Sequence, residues 1–284
     1  MLLSTLASIV PMEAEPIFAK ALKEWMTQDW LTNSIFVSLL LMVLLVWWAH
    51  SSTRNMELIP SGRQNFFEFI VAGLYEFFEG IVGKHVIGKA FSLLATLFLY
   101  IVASNWFGLL PGVGSLGWQE NNGEFLPLLR PATADMNTTI GLAVVFMFFW
   151  LLWTLQEVGL RAFLKHLFGV KGGVQGIMSF LLMPIFFFVG IIEVISILIR
   201  PVSLSLRLFG NVFAGENLMN TMMAMGETLH FPIWLAKLTS VLLPVPFYFL
   251  ELLIGVLQAF VFALLCAVYL NLSTSHEEEE AENH

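Results

Sequence analysis

Residues 176–225 constrain the fold more than any other stretch, because they run almost without polar interruption. In lipid every backbone N–H and C=O needs a partner inside the protein, so a run this apolar and this long reads as helix. As one helix it would be ~75 Å long at ~1.5 Å per residue, more than twice the ~30 Å hydrocarbon core of a bilayer. It therefore holds either two spans or one long, bent and strongly tilted helix. No polar turn divides it, although Pro184 and Pro201 offer kinks. Residues 237–270 pose the same question at ~50 Å, with Pro244 and Pro246 as candidate bends. Tilt is the simpler solution. The reading is two long oblique helices forming a hairpin, joined by the polar loop 226–234.

The first of these helices carries charge where lipid penalises it. Glu193, Arg200, Arg207 and Glu216 all lie within the segment EVISILIRPVSLSLRLFGNVFAGE. A charge at mid-bilayer costs ~3 kcal/mol or more, so such residues face protein or water and mark ion pathways. Glu193, Arg200 and Arg207 are seven apart and return to nearly the same helix face. Glu216 follows Arg207 by nine residues and falls on the opposite face. One helix thus shows a guanidinium on one side and a carboxylate on the other.

The remaining chain fits an all-α integral membrane protein. Of 284 residues, 58% are hydrophobic and 12% charged, against roughly 25% charged in soluble domains. Further spans are expected at residues 31–50, 90–110 and 137–157. That makes five membrane-crossing helices in a single membrane domain. Residues 64–83 carry Glu68, Glu76 and Glu79 on part of the circumference and read as an interfacial amphipathic helix. Seven basic residues (Arg54, Arg63, Lys84, Lys89, Arg161, Lys165 and Lys171) fall in two connectors. Positive-inside bias puts those connectors inside and the N-terminus outside, and five crossings leave the acidic tail, 271–284, inside. The apolar residues 2–10 lack a basic start and a clear cleavage site, so they read as an ordinary N-terminal segment rather than a cleaved signal.

Several chemistries find no support. Gly112, Gly114 and Gly117 have dinucleotide-motif spacing, but they follow a membrane helix and enter a loop, without the strand–turn–helix context. Cys266 is alone and the six histidines are scattered, so no metal or cofactor site is expected. The net charge of −8 makes nucleic acid an unsuitable partner. No nucleophile with an adjacent base stands out, so the chain is not read as catalytic by itself.

The polar residues inside the membrane carry the function instead. Arg207 stays protonated at any ordinary pH, so it serves as a fixed positive field rather than a relay. A carboxylate passing beside it is held ionised and a free cation is repelled. For Arg200 packing and function are equally open. In the last helix Glu251 and Gln258 are seven apart and share a face. Across a hairpin they would bring Gln258 opposite Arg207 and Glu251 near Glu216. Two neighbouring carboxylates in low dielectric cannot both ionise cheaply, so one of them would exchange a proton with water. Gly210, Ala214 and Gly215 beside Asn211 leave room for water and close helix approach.

The run from Ser203 through Arg207 to Asn211, continued by Ala214, Gly215 and Glu216, closely resembles the signature of subunit a of F-type ATP synthases. Asn105 with Gly108, Leu109 and Pro111, the run Asp135 to Thr139, and Gln258 to Phe262 resemble its other motifs. The resemblance implies the stator half of a membrane motor. It would sit against a ring of c subunits and a b-subunit peripheral stalk, within lipid, in a bacterial plasma membrane or an equivalent organelle membrane. Two offset half-channels would pass protons or sodium ions. Arg207 would be the essential arginine facing the ring, with Glu216, Glu251, Asn211 and Gln258 lining the path and Glu193 near the inner half-channel. Some members pair Glu with His where this chain has Glu216 and Glu251. A secondary ion-coupled transporter is the alternative, but internal repeats, which many transporters show, are not evident. A purely structural scaffold would not need Arg207.

The orientation is directly testable. In a Cys266→Ser background, a cysteine at Lys165 should react with a membrane-impermeant maleimide from the inner side only; labelling from outside would invert the topology.

Overall fold

The computed structural model describes residues 32–60, 62–110, 113, 117–119, 125–127, 129–168 and 177–274. Residues 2–10, Gly112, Gly114, Lys171 and most of the acidic tail lie outside the described residues. The order is α1 (Asn33–Thr53), α2 (Gly62–Val82), α3 (Lys84–Gly108), β1 (Gly117–Gln119), β2 (Phe125–Pro127), a 3-10 turn (Ala132–Ala134), α4 (Met136–Glu157), α5 (Leu160–Phe168), α6 (Ile177–Thr228), α7 (Ile233–Leu242) and α8 (Pro244–Thr274). The fold is helical, as the sequence implies; β1 and β2 make only a three-residue antiparallel pair inside the loop after α3. Among the described residues five stretches are long and apolar enough to cross a membrane: α1, α3, α4, the bulk of α6, and α7 with α8.

Local chemistry explains the boundaries. Thr32 Oγ1 accepts from the Ile35 N–H at the start of α1, and Asp135 Oδ1 accepts from the Asn137 N–H at the start of α4. Each satisfies a backbone donor that the first helical turn leaves open. Gly83, at φ +86°, separates α2 from α3 in the left-handed conformation that favours glycine. Along α2 the buried residues are Gln64, Leu74, Phe78 and Val82, while Glu76 is exposed, so one face is covered and the other is not.

The long apolar block is one continuous helix of 52 residues that runs through both Pro184 and Pro201. Each proline removes one intrahelical hydrogen bond, which is the local cause of bending. The last block differs in detail from a single helix over 237–270. It begins at Ile233 and breaks at Leu243, because Pro244 cannot donate to the preceding turn and instead opens α8. At the other end of the connector, His230 takes φ +54° where the chain reverses. Contacts between α6 and the following helices run antiparallel, Asn211 to Gln258 and Gly215 to Glu251, which is the expected hairpin.

Two compact units divide the chain. One comprises Met1–Ser51, Leu99–Thr139 and Arg207–Phe260; the other comprises Ser52–Phe98, Ile140–Leu206 and Val261–His284. In the first, Val37, Ile101, Leu208 and Ala259 are fully or almost fully buried, and Tyr100 donates to Ser38 across α3 and α1 at 2.8 Å. In the second, Leu94, Phe146, Phe262, Ala263, Cys266 and Ala267 are buried. Lys89 pairs with Glu157 between α3 and α4 there. Gly255, Ala259, Ala263 and Ala267 recur every four residues of α8 and are all buried. Lipid tails are as apolar as leucine, so close approach at such small residues takes over from hydrophobic exclusion as the source of helix association.

Ala263→Leu should therefore overpack α8 and destabilise the chain by ~1–3 kcal/mol. The exposed Leu272→Ala should stay within ~0.5 kcal/mol. Thermal unfolding of the purified protein in detergent compares the two.

Candidate ion-path site

The site lies within the first unit and begins with the segment before α4. Pro131 O accepts from Ala134 N–H at 3.1 Å and Ala132 O from Asp135 N–H at 3.2 Å, which ties residues 131–135 into a tight turn. Asp135 then caps α4, as above. A methyl group on Gly108 would stand 2.7 Å from Pro131 Cγ, so α3 touches this turn at a position where only glycine fits without movement. Thr133 Oγ1 donates to Asn105 Oδ1 at 2.7 Å, and the Thr133 N–H donates to Ser104 Oγ at 3.2 Å. Asn105 Nδ2 continues to the Gly255 carbonyl at 3.1 Å, and Trp106 Nε1 reaches the Leu252 carbonyl at 3.2 Å. A buried polar chain thus connects the turn, α3 and α8.

Arg130 immediately precedes this turn. Its side chain is 4% exposed, and its Nη2 lies 3.0 Å from Glu216 Oε2 on α6. Local sequence patterning does not single out Arg130. The available signal is compositional: a cation between two leucines and a proline. Its partner is 86 residues away, beyond the reach of helix periodicity.

Glu251 sits on α8 against Gly215 of α6. A methyl group built on Gly215 would overlap the Glu251 carboxylate, so the two helices meet where α6 has no side chain. Glu216 and Glu251 are near enough to act on one another electrostatically. Among the described residues no ion pair or hydrogen bond to Glu251 is formed.

Asn211 Nδ2 donates to Gln258 Oε1 at 2.6 Å. Gln258 is 5% exposed and its Nε2 is buried without a hydrogen-bond partner among the described residues. Gln258 therefore engages Asn211 rather than Arg207. Arg207 is exposed on the flank of α6, and among the described residues it makes no hydrogen bond or ion pair. Leu208 and Phe209 beside it are buried, so the guanidinium belongs to the face of α6 that this chain leaves uncovered.

The other two sequence candidates lie in the second unit. Arg200 stands over the rings of Tyr269, 4.8 Å from its centroid, and Trp150, at 5.7 Å. Trp150 Nε1 also donates to the Tyr269 carbonyl at 3.0 Å. These contacts give Arg200 an aromatic packing role worth ~0.5–2 kcal/mol as a cation–π interaction. Glu193 is half-buried on α6.

The buried turn 131–135, Arg207, Glu216, Glu251 and Gln258 all fall within residues 33–271, which match the profile of the ATP synthase A chain family. The chain belongs to that family. It is 35% identical over 239 residues to ATP synthase subunit a of Trichlorobacter lovleyi, covering 84% of this chain and 85% of the relative. It is 32% identical over 232 residues to ATP synthase subunit a of Moorella thermoacetica, covering 81% and 85%. The sodium ion specific ATP synthase subunit a of Propionigenium modestum is 32% identical over 246 residues, covering 86% and 73%. Family membership makes this a multi-pass protein of the ion-translocating membrane sector of an ATP synthase. The five apolar stretches agree with that placement.

Because the atoms opposite Gly215 are the end of a flexible side chain, Gly215→Ala should cost less than ~1.5 kcal/mol, in the range of tolerated core changes, yet push the Glu251 carboxyl aside. Unchanged yield of assembled complex with a severalfold drop in ion-driven ATP synthesis is the expected pair of results.

Proposed function

We propose that this chain is the stator subunit that couples ion flow to rotation of a c-subunit ring. Two offset half-channels, one from each side of the membrane, load and unload the ring carboxylates with protons or sodium ions. The b-subunit stalk holds the chain still, and the setting is the plasma membrane of a bacterium or an equivalent energy-transducing membrane.

One observation carries this reading: Arg207 projects from an apolar helix with no counter-ion among the described residues of its own chain. Val202, Ser203, Leu206 and Asn211 are exposed along with Arg207, so this stretch of α6 has a flank to offer a neighbour. An isolated cation in hydrocarbon is too costly to be idle. A mobile carboxylate on another subunit would supply its counter-charge, and a carboxylate meeting Arg207 is favoured in its ionised form. The ring acid therefore gives up its ion as it arrives and cannot carry it straight past. Exposed Asn211 flanks the guanidinium one helical turn on, where Gln258 holds its amide.

An ion crossing 100 mV carries ~2.3 kcal/mol, and that work is lost if the half-channels connect without turning the ring. Arg207→Ala should reduce ion-driven ATP synthesis to background while the complex still assembles, with passive ion leak increased. Normal coupled synthesis in that variant would overturn the proposal.

A further inference from the structure

The two carboxyl groups of the site, Glu216 and Glu251, are not equivalent. Glu216 meets a guanidinium that is almost fully buried, and that guanidinium is held by a turn anchored at Pro131 against Gly108 and at Asp135 by the α4 cap. Arg130 directly precedes that turn, whose Thr133 is tied through Asn105 to Gly255 of α8. Among the described residues Glu251 has no such cation. From α8 it faces Gly215, and among the described residues the charged groups around it are Glu216 on α6 and, through Glu216, Arg130. From α3 the adjoining side chains are Asn105 and Trp106, both neutral.

We propose that Arg130 is a positioning residue that pins Glu216 as a fixed anion, and that Glu251 is therefore the carboxyl carrying the exchangeable proton. This rests on reading the site as part of an ion path, and it assigns different work to two residues of the same type. A buried ion pair whose cation is removed leaves an uncompensated charge, which is strongly destabilising. Glu216 would relieve that by taking up a proton of its own, so a second protonated carboxyl would arise beside Glu251. Arg130 sets the number of protons the site holds without touching the transported ion.

Infrared difference spectroscopy of the purified ATP synthase, titrated with acid in H2O and D2O, reads this directly through the C=O stretch of protonated carboxyl groups. Wild type should show a band that is lost in Glu251→Gln and retained in Glu216→Gln. Arg130→Ala should add a second band, absent from the Arg130→Ala, Glu216→Gln double variant, and Arg130→Lys should resemble wild type. Loss of the wild-type band in Glu216→Gln, or an Arg130→Ala spectrum identical to wild type, would overturn the assignment. Should Arg130→Ala fail to assemble, Glu216→Gln against Glu251→Gln decides by itself. The spectra report protonation whether or not the ring turns, so they are independent of the Arg207→Ala outcome.

Discussion

Hydrocarbon cannot satisfy a polar group, and that single constraint shapes every feature of this chain. It makes the spans helical, since no other open segment closes its own backbone bonds. It also decides what can hold helices together. Lipid removes the hydrophobic reason for apolar side chains to meet, so contact falls to small residues and to polar atoms that find partners. Both devices are present on α8: Gly255, Ala259, Ala263 and Ala267 form its buried ridge, while the Gly255 and Leu252 carbonyls receive Asn105 and Trp106.

The same constraint separates the three arginines whose surroundings matter. Arg130 is buried and ion-paired with Glu216. Arg200 spreads over two aromatic faces. Arg207 is exposed and has no partner among the described residues. Chemically the side chains are identical, so the difference lies entirely in what each helix or turn places beside them. A guanidinium satisfied within its own chain contributes to structure, whereas an unsatisfied one in the apolar zone is available to a second protein. That contrast, more than the presence of charge, distinguishes the proposed motor contact from the packing around it.

Glycine has a parallel part in the site. At Gly108 it admits the Pro131 ring, and at Gly215 it admits the Glu251 carboxylate. Each close approach brings a functional group from a separate element to a place that a larger residue would occupy. The site is thus assembled from a turn, α6 and α8 by removal of side chains as much as by their addition.

Much was legible from the chain alone. Hydropathy marks the spans, and the nine-residue offset between Arg207 and Glu216 places them on opposite faces of one helix, since periodicity is a property of local backbone geometry. The seven-residue spacing of Glu251 and Gln258 likewise predicts a shared face, and both do meet α6, at Gly215 and Asn211. Local rules stop there. That Gln258 engages Asn211 rather than Arg207 depends on the register between two helices. That Arg130 belongs to Glu216 depends on a turn folded back from 86 residues away, and that Arg200 is enclosed by aromatic rings depends on α4 and α8. Sequence spacing fixes the angle at which a side chain leaves its own helix, but only packing brings the partner that determines whether its charge is spent inside the chain or offered outside it.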